Sequence, residues 1–222
     1  MDFQWNLVWS SVPTLLEGAV LTLQLTTIAV SVGVVLGTIF GIMRLSRTPL
    51  RYLAMGYIDF IRGTPLLVQI FIIYYGVPNL LPRLFTTGIQ PYVAALVALS
   101  INSGAYVAEI VRAGIQSIEK GQTEAALSLG LSSTATMIHI ILPQAFKRII
   151  PPLGNEFIAL LKDSSLVSAI ALEELVRKAQ IVSGRTFRPF EVWFVVAIMY
   201  LIMTVTVSRI VSILERRLRV GE

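Results

Sequence analysis

The chain has 222 residues, 55% of them hydrophobic and 14% charged, against roughly 25% charged in a soluble domain, so much of its surface faces something other than water. With no Cys and one His, disulfide frameworks, thiol chemistry and a Cys/His zinc site are excluded or nearly so. The net charge of +5 and pI near 9.7 would suit nucleic acid, but in so apolar a chain basic residues first report membrane orientation. A lipid bilayer is the expected partner and nucleic acid is not.

A helix that crosses a bilayer needs about 20 apolar residues with few charges. Four intervals between ionisable residues qualify: 26 uncharged residues between Glu17 and Arg44, 20 between Arg62 and Arg83, 25 between Arg83 and Glu109, and 17 between Glu191 and Arg209. A fifth, Pro152 to Leu172, is apolar in bulk but contains Glu156, Lys162 and Asp163, charges that are costly toward lipid and acceptable toward a polar cavity. The first interval is expected to stay in the protein, because Asp2 and Glu17 stand where a signal peptide is basic and the run exceeds a signal core. The fold class is thus an all-α integral membrane protein with five transmembrane helices.

Basic residues assign the sides. Arg44, Arg47, Arg51 and Arg62 follow the first span, Arg112, Lys120, Lys147 and Arg148 follow the third, and Arg209, Arg216, Arg217 and Arg219 end the chain. That places twelve of eighteen basic residues on one side, which the positive-inside rule makes cytoplasmic, with the N-terminus outside and the C-terminus inside. Arg83, Arg177, Lys178, Arg185 and Arg188 fall on the opposite side. Glu173 and Glu174, each four before Arg177 and Lys178, predict a charge-paired interfacial helix with Leu172, Leu175, Val176 and Ala179 on its apolar face. No internal repeat is visible, so a symmetric pathway requires a second chain.

The longest cytoplasmic stretch, about 110 to 150, reads as two short helices. Gln122 or Thr123 can start the first, Gly130 can take a left-handed position after it, Ser132 or Ser133 can cap the second, and Pro143 closes it. Here Glu124-Ala125-Ala126, three residues, Gly130, nine residues, Ile140, one residue and Leu142-Pro143 match every fixed position of the EAA motif. The chain resembles the permease subunits of ATP-binding cassette importers. Phe60 to Gln69 (FIRGTPLLVQ), Ala105 to Ser117 (AYVAEIVRAGIQS) and Leu161 to Leu166 (LKDSSL) look like the polar amino acid branch of that family, the histidine, glutamine, glutamate and arginine systems.

The resemblance implies one permease domain over 1–222, with its core at about 15–215 and the elbow at about 119–143. It implies that the elbow is a coupling helix resting in a groove of an ATPase subunit, with Glu124, Ala125, Ala126 and Gly130 as the ATPase-coupling residues. It further implies a second permease chain, identical or a sister, two ATPase subunits that carry ATP and Mg, and a separate extracytoplasmic solute-binding protein. The chain itself is expected to bind no cofactor or metal and to catalyse no reaction. The residue types suit the role: the alanines allow close approach, Glu124 offers a carboxylate to a basic partner, and Gly130 permits a sharp reversal. No Gly precedes a Lys anywhere, so a phosphate-binding G-x-x-x-x-G-K-[ST] loop is excluded.

Ionisable groups inside a span point to function. An amino acid offers a carboxylate for Lys162, an ammonium for Asp163 and, if cationic, a side chain for Glu156; the formal sum of the three, minus one, would balance arginine, lysine or protonated histidine. Gln69, Asn102, Ser103 and Tyr106 can complete the cavity. The alternative for Lys162 and Asp163 is a mutual pair or a place at a helix end, fixing packing between spans, and for the others interhelical hydrogen bonds beside Gly104. His139 reads as solvated, and Trp5, Trp9, Trp193, Tyr74 and Tyr75 as interfacial anchors or packing. The rival classes are an ion-coupled secondary amino acid carrier or channel, for which the elbow has no use, and a membrane-embedded enzyme. For the enzyme neither H-E-x-x-H nor G-x-S-x-G is present and nothing supports an Asp59/Asp163 dyad.

Overall fold

The computed structural model describes residues 3–46 and 48–219, the side chains of 218 and 219 excepted. Asp2, Arg47 and the Arg219 side chain, which entered the charge pattern above, lie outside the described residues. All regular structure among the described residues is helical. Among the described residues, three helices are long and apolar enough to cross a membrane: α1 (Trp5–Leu45), α5 (Pro91–Gln116) and α10 (Pro189–Arg219).

The first helix begins well before the apolar interval that signalled it. Its 41 residues extend about 60 Å, roughly twice the hydrocarbon thickness. It runs past Glu17 because that side chain stays 71% exposed and meets Lys178 Nζ at 3.3 Å, so its charge is never buried. Gly33, Gly37 and Gly41 recur every fourth residue and seat α1 against α5 at backbone distance. A Cβ at Gly37 would lie 2.5 Å from Val107 Cβ, and one at Gly41 would lie 2.8 Å from the Ala108 carbonyl oxygen.

The uncharged run after Arg62 is a sharply bent pair of helical limbs rather than one straight helix. Helix α2 (Leu50–Arg62) stops at Gly63, and α3 (Leu66–Phe71) resumes after Pro65. It continues through a wide π turn (Ile72–Gly76) into α4 (Val77–Leu80), and the limbs 50–62 and 66–80 meet at 105°. Pro65 lacks an N–H and holds Thr64 out of helical conformation. The Gln69 side-chain amide then donates to the freed carbonyls of Ile61 (2.7 Å) and Thr64 (3.0 Å). Residues 81–90 form a loop, with Gly88 at φ +79°, so the helix within the third apolar interval begins at Pro91 rather than just after Arg83.

After α6 (Lys120–Ser128) and α7 (Ser133–Thr136) comes a second π turn (Met137–Ile141), which leads directly into α8 (Leu142–Asp163). Pro143 therefore opens α8 rather than closing the elbow. It falls in the first turn, where its missing N–H is not needed, and the widened turn before it relieves the ring. The fifth interval accordingly starts ten residues earlier than Pro152 and ends as a 3-10 segment (Ser164–Ile170).

Helix α9 (Leu175–Thr186) is pinned on one side by Leu175 and Ala179, buried against α1 and α10. The expected Glu–Arg/Lys pairing four apart is replaced by a division of labour. Glu173 pairs with Lys178 at 3.0 Å, whereas Glu174 is fully buried and caps α9, accepting from the N–H groups of Val176 (2.9 Å) and Arg177 (2.8 Å). A backbone-capping carboxylate cannot also reach out to solvent cations. The main core joins Leu25, Ile70, Leu99 and Leu160 from α1, α3, α5 and α8, while the outward faces of α1 and α10 leave Val35, Ile39, Leu201, Ile202 and Ile213 exposed.

Candidate functional site

The elbow is built largely by local rules. Helix α6 starts at Lys120, two residues earlier than Gln122, with no side-chain cap on its first turn. At its other end Leu131 N–H donates to the Ala126 carbonyl (3.1 Å) and Gly130 N–H to Leu127 (3.0 Å), with Gly130 at φ +86°. This is a Schellman closure, and only glycine adopts the required backbone without strain. Ser132 Oγ accepts from Ala135 N–H at 3.2 Å and starts α7.

Glu124 and Ala125 are exposed, Leu127 is 44% exposed and Leu129 82% exposed, whereas Ala126 is buried. Of the two alanines, then, only Ala125 presents an outer surface. Ala126 fills the inside of the elbow, where its carbonyl closes the turn. The start of the elbow and the end of α5 just before it are tied to α8: Gln144 Nε2 donates to Gln122 Oε1 (3.3 Å), and Arg148 donates to the Ser117 carbonyl.

The intramembrane candidates separate into two groups. Gln69 Oε1 accepts from Asn102 Nδ2 at 3.0 Å, and both residues are buried. Since the Gln69 amide nitrogen is occupied by Ile61 and Thr64, this pair fastens the α2–α3 break to α5. Ser103 is buried under Gly33, with its hydroxyl in reach of the Glu156 carboxylate but outside hydrogen-bond geometry. Glu156 is buried on α8 and feels the charges of Asp163 and Arg62. Lys162 and Asp163 are exposed, and neither makes an ion pair within 4.0 Å among the described residues, so the mutual packing pair is not formed. Tyr106 is half-exposed beneath the Arg62 guanidinium, 5.3 Å from ring centroid to Cζ.

A further charged cluster went unread in the sequence. Glu109, which ends an apolar interval and lies in the AYVAEIVRAGIQS run but received no role there, accepts from Arg44 Nη1 at 2.8 Å and from both Nε (3.1 Å) and Nη2 of Arg112, with Arg62 Nη1 3.9 Å away. The Glu109–Arg112 spacing of three is a legible helical pair, but Arg44 and Arg62 come from other helices and carry no local signal. Beside the cluster lies an open cavity of about 410 Å³ bordered by Gly114, Ser117, Arg148 and Pro152.

With this geometry in view, relatedness is plain. The glutamine transport system permease protein GlnP of Escherichia coli (strain K12) is 42% identical over 221 residues, covering 99% of this chain and 100% of that protein. The arginine transport system permease protein ArtQ of Bacillus subtilis (strain 168) is 36% identical, covering 99% of each. A crystal structure of an amino acid ABC transporter with histidines superposes with a TM-score of 0.91 at 44% identity, covering 98% of this chain and 100% of that one. Residues 33–220 match the family described as binding-protein-dependent transport system inner membrane component, and the chain belongs to that family.

Proposed function

We propose that the chain is the permease subunit of an ATP-driven, binding-protein-dependent amino acid importer of the cell membrane. It crosses the bilayer five times, through α1, the broken α2–α4 limb, α5, α8 and α10, with the N-terminus outside and the C-terminus cytoplasmic. Two such chains, or this chain and a sister, enclose one pathway. Two ATPase subunits hold ATP and Mg, and closure of their sites pushes on α6 and switches the pathway between outward and inward access. The permease binds no cofactor and does no covalent chemistry. An extracytoplasmic solute-binding protein delivers the substrate.

The observation that carries this reading is the elbow. A short helix ends in a glycine-closed reversal, exposes Glu124, Ala125 and Leu129, and is fastened to α8. Exposed apolar and acidic groups on a cytoplasmic projection suit a protein groove better than water. The substrate is a polar or basic amino acid such as arginine, histidine or glutamine. Buried Glu156 supports a cationic side chain, with Asp163 on the same side and Ser103 beside it.

The test is uptake of labelled arginine, histidine, glutamine and glutamate into liposomes holding this chain with its ATPase, with the binding protein supplied outside. Uptake should require ATP and collapse in Glu124→Arg, which places a like charge against a basic partner. Glu156→Gln should weaken uptake of cationic amino acids more than neutral ones, and equal loss for both would sink the side-chain role. Uptake that follows an ion gradient and ignores both the ATPase and the elbow would instead make the chain a secondary carrier or channel.

A further inference from the structure

The seam between α1 and α5 is close but smooth. Gly33, Gly37 and Gly41 bring the backbones together, yet no hydrogen bond crosses that stretch among the described residues, so packing alone resists sliding along the seam. Directional contacts appear only at its end. There Arg44 from the last turn of α1 and Arg62, the last residue of α2, converge on Glu109 of α5, with Arg112 completing the set. Glu109 stands two turns before the end of α5 at Gln116, and α6 begins four residues beyond that end.

The three cations around one carboxylate are unequal. Arg44 and Arg112 are held tightly and mostly covered, whereas Arg62 is 3.9 Å away, 40% exposed, and leans on Tyr106. Removing the single anion would leave three guanidinium groups facing one another, with only the Gln116 side-chain oxygen on Arg112 and the Tyr106 ring beside Arg62 to hold them. Charge repulsion would then splay the ends of α1, α2 and α5, the last of which leads into the elbow.

We propose that Glu109 is a positioning residue that latches the cytoplasmic ends of α1 and α2 to α5, so that displacement of α6 moves the three helices as one body. The inference rests on the coupling reading above and adds the element that carries the stroke into the membrane. With the latch intact, a push on α6 travels along α5 and is shared with α1 and, through the α2–α3 break, with the Gln69–Asn102 pair. Without it, α5 slides on its glycine seam and the stroke is dissipated.

The experiment measures the ratio of amino acid imported to ATP hydrolysed by the full complex in liposomes, with the binding protein present, for the native chain, Glu109→Gln and Glu109→Asp. Glu109→Gln should still assemble with its ATPase and hydrolyse ATP, while the ratio falls roughly tenfold, within the range of ordinary coupling energies. Glu109→Asp keeps the charge, and the long arginines can follow it, so its ratio should stay near native. A merely structural role would lower uptake and hydrolysis together and leave the ratio unchanged, and that result overturns the latch. If Glu109→Gln fails to assemble, Arg44→Gln reads the same ratio, and failure of both to assemble makes the cluster a folding element and also overturns it. A native complex with no ATP-dependent uptake would instead refute the importer reading itself.

Discussion

Replacing Gly37 by alanine perturbs the α1–α5 seam at its tightest point. The added methyl would lie 2.5 Å from Val107 Cβ, 2.6 Å from Val107 Cγ1 and 2.8 Å from the Ala108 backbone nitrogen, where carbon atoms normally rest about 3.5–4.0 Å apart. The overlap exceeds ~1 Å and involves backbone and a β-carbon, neither of which can rotate away, so α1 and α5 must separate. Overpacking of this kind costs about 1–3 kcal/mol, offset by about 0.5–1 kcal/mol from alanine's lower backbone entropy. The net expectation is a loss of about 1–2 kcal/mol, read as a lower temperature at which the detergent-purified protein loses its monodisperse peak. Gly56→Ala and Gly184→Ala, which meet nothing within 4 Å, should match or exceed the native protein. Adding Val107→Ala to Gly37→Ala should rescue only part of the loss, because it removes Cγ1 and leaves the Cβ and the backbone nitrogen. At Gly154, by contrast, the nearest atoms are Val211 Cγ2 (2.4 Å) and Cγ1 (2.5 Å), so Val211→Ala should rescue Gly154→Ala more fully. If Gly37→Ala proved as heat-resistant as Gly56→Ala, the close-packed seam would be refuted.

Two further outcomes follow from the same structure. Burial pushes the Glu174 carboxyl up to about 7, outweighing the N–H groups of Val176 and Arg177 that favour its charged form. Between the ordinary value of 4.5 and about 7 the folded chain keeps a proton that the unfolded chain has lost. This part of the stability is therefore present at low pH, declines as pH rises through that window and levels off above it, by at most about 3 kcal/mol. Heat resistance measured from pH 5 to 7 should thus fall more steeply for the native chain than for Glu174→Gln, and parallel profiles would contradict the buried cap. Gly130→Ala forces an L side chain into φ +86°, at a cost of about 1–2 kcal/mol. Amide exchange over 125–131 should quicken while the control Gly121→Ala, in open space on α6, leaves it unchanged; equal exchange in the two variants would refute the strained turn.

Several features were legible because they depend on neighbours in the chain. The left-handed glycine at 130 follows from backbone preference and appears where the spacing puts it, and of the two serines that could cap the next helix the structure uses Ser132. The reading of Pro143 as a stop failed for an equally physical reason: proline excludes itself from a helix interior but not from a first turn, and a π turn upstream supplied one. Likewise Gly63 and Pro65 stand in plain view, but an uncharged run of 20 residues suggested continuity, since the hydropathy of an interval carries no information about its bend.

Composition and charge spacing by themselves determined that the chain is a helical membrane protein, and one motif determined its elbow, because burial in lipid and local backbone geometry are written in consecutive residues. Tertiary structure alone decided the partners of the charges. It placed Glu109 among three arginines, turned Glu174 inward as a cap, paired Gln69 with Asn102, and buried Glu156 while leaving Lys162 exposed. Electrostatic energy depends on distance and surroundings in space. Those are set by which helices pack together, and here by how closely three glycines on α1 let α5 approach.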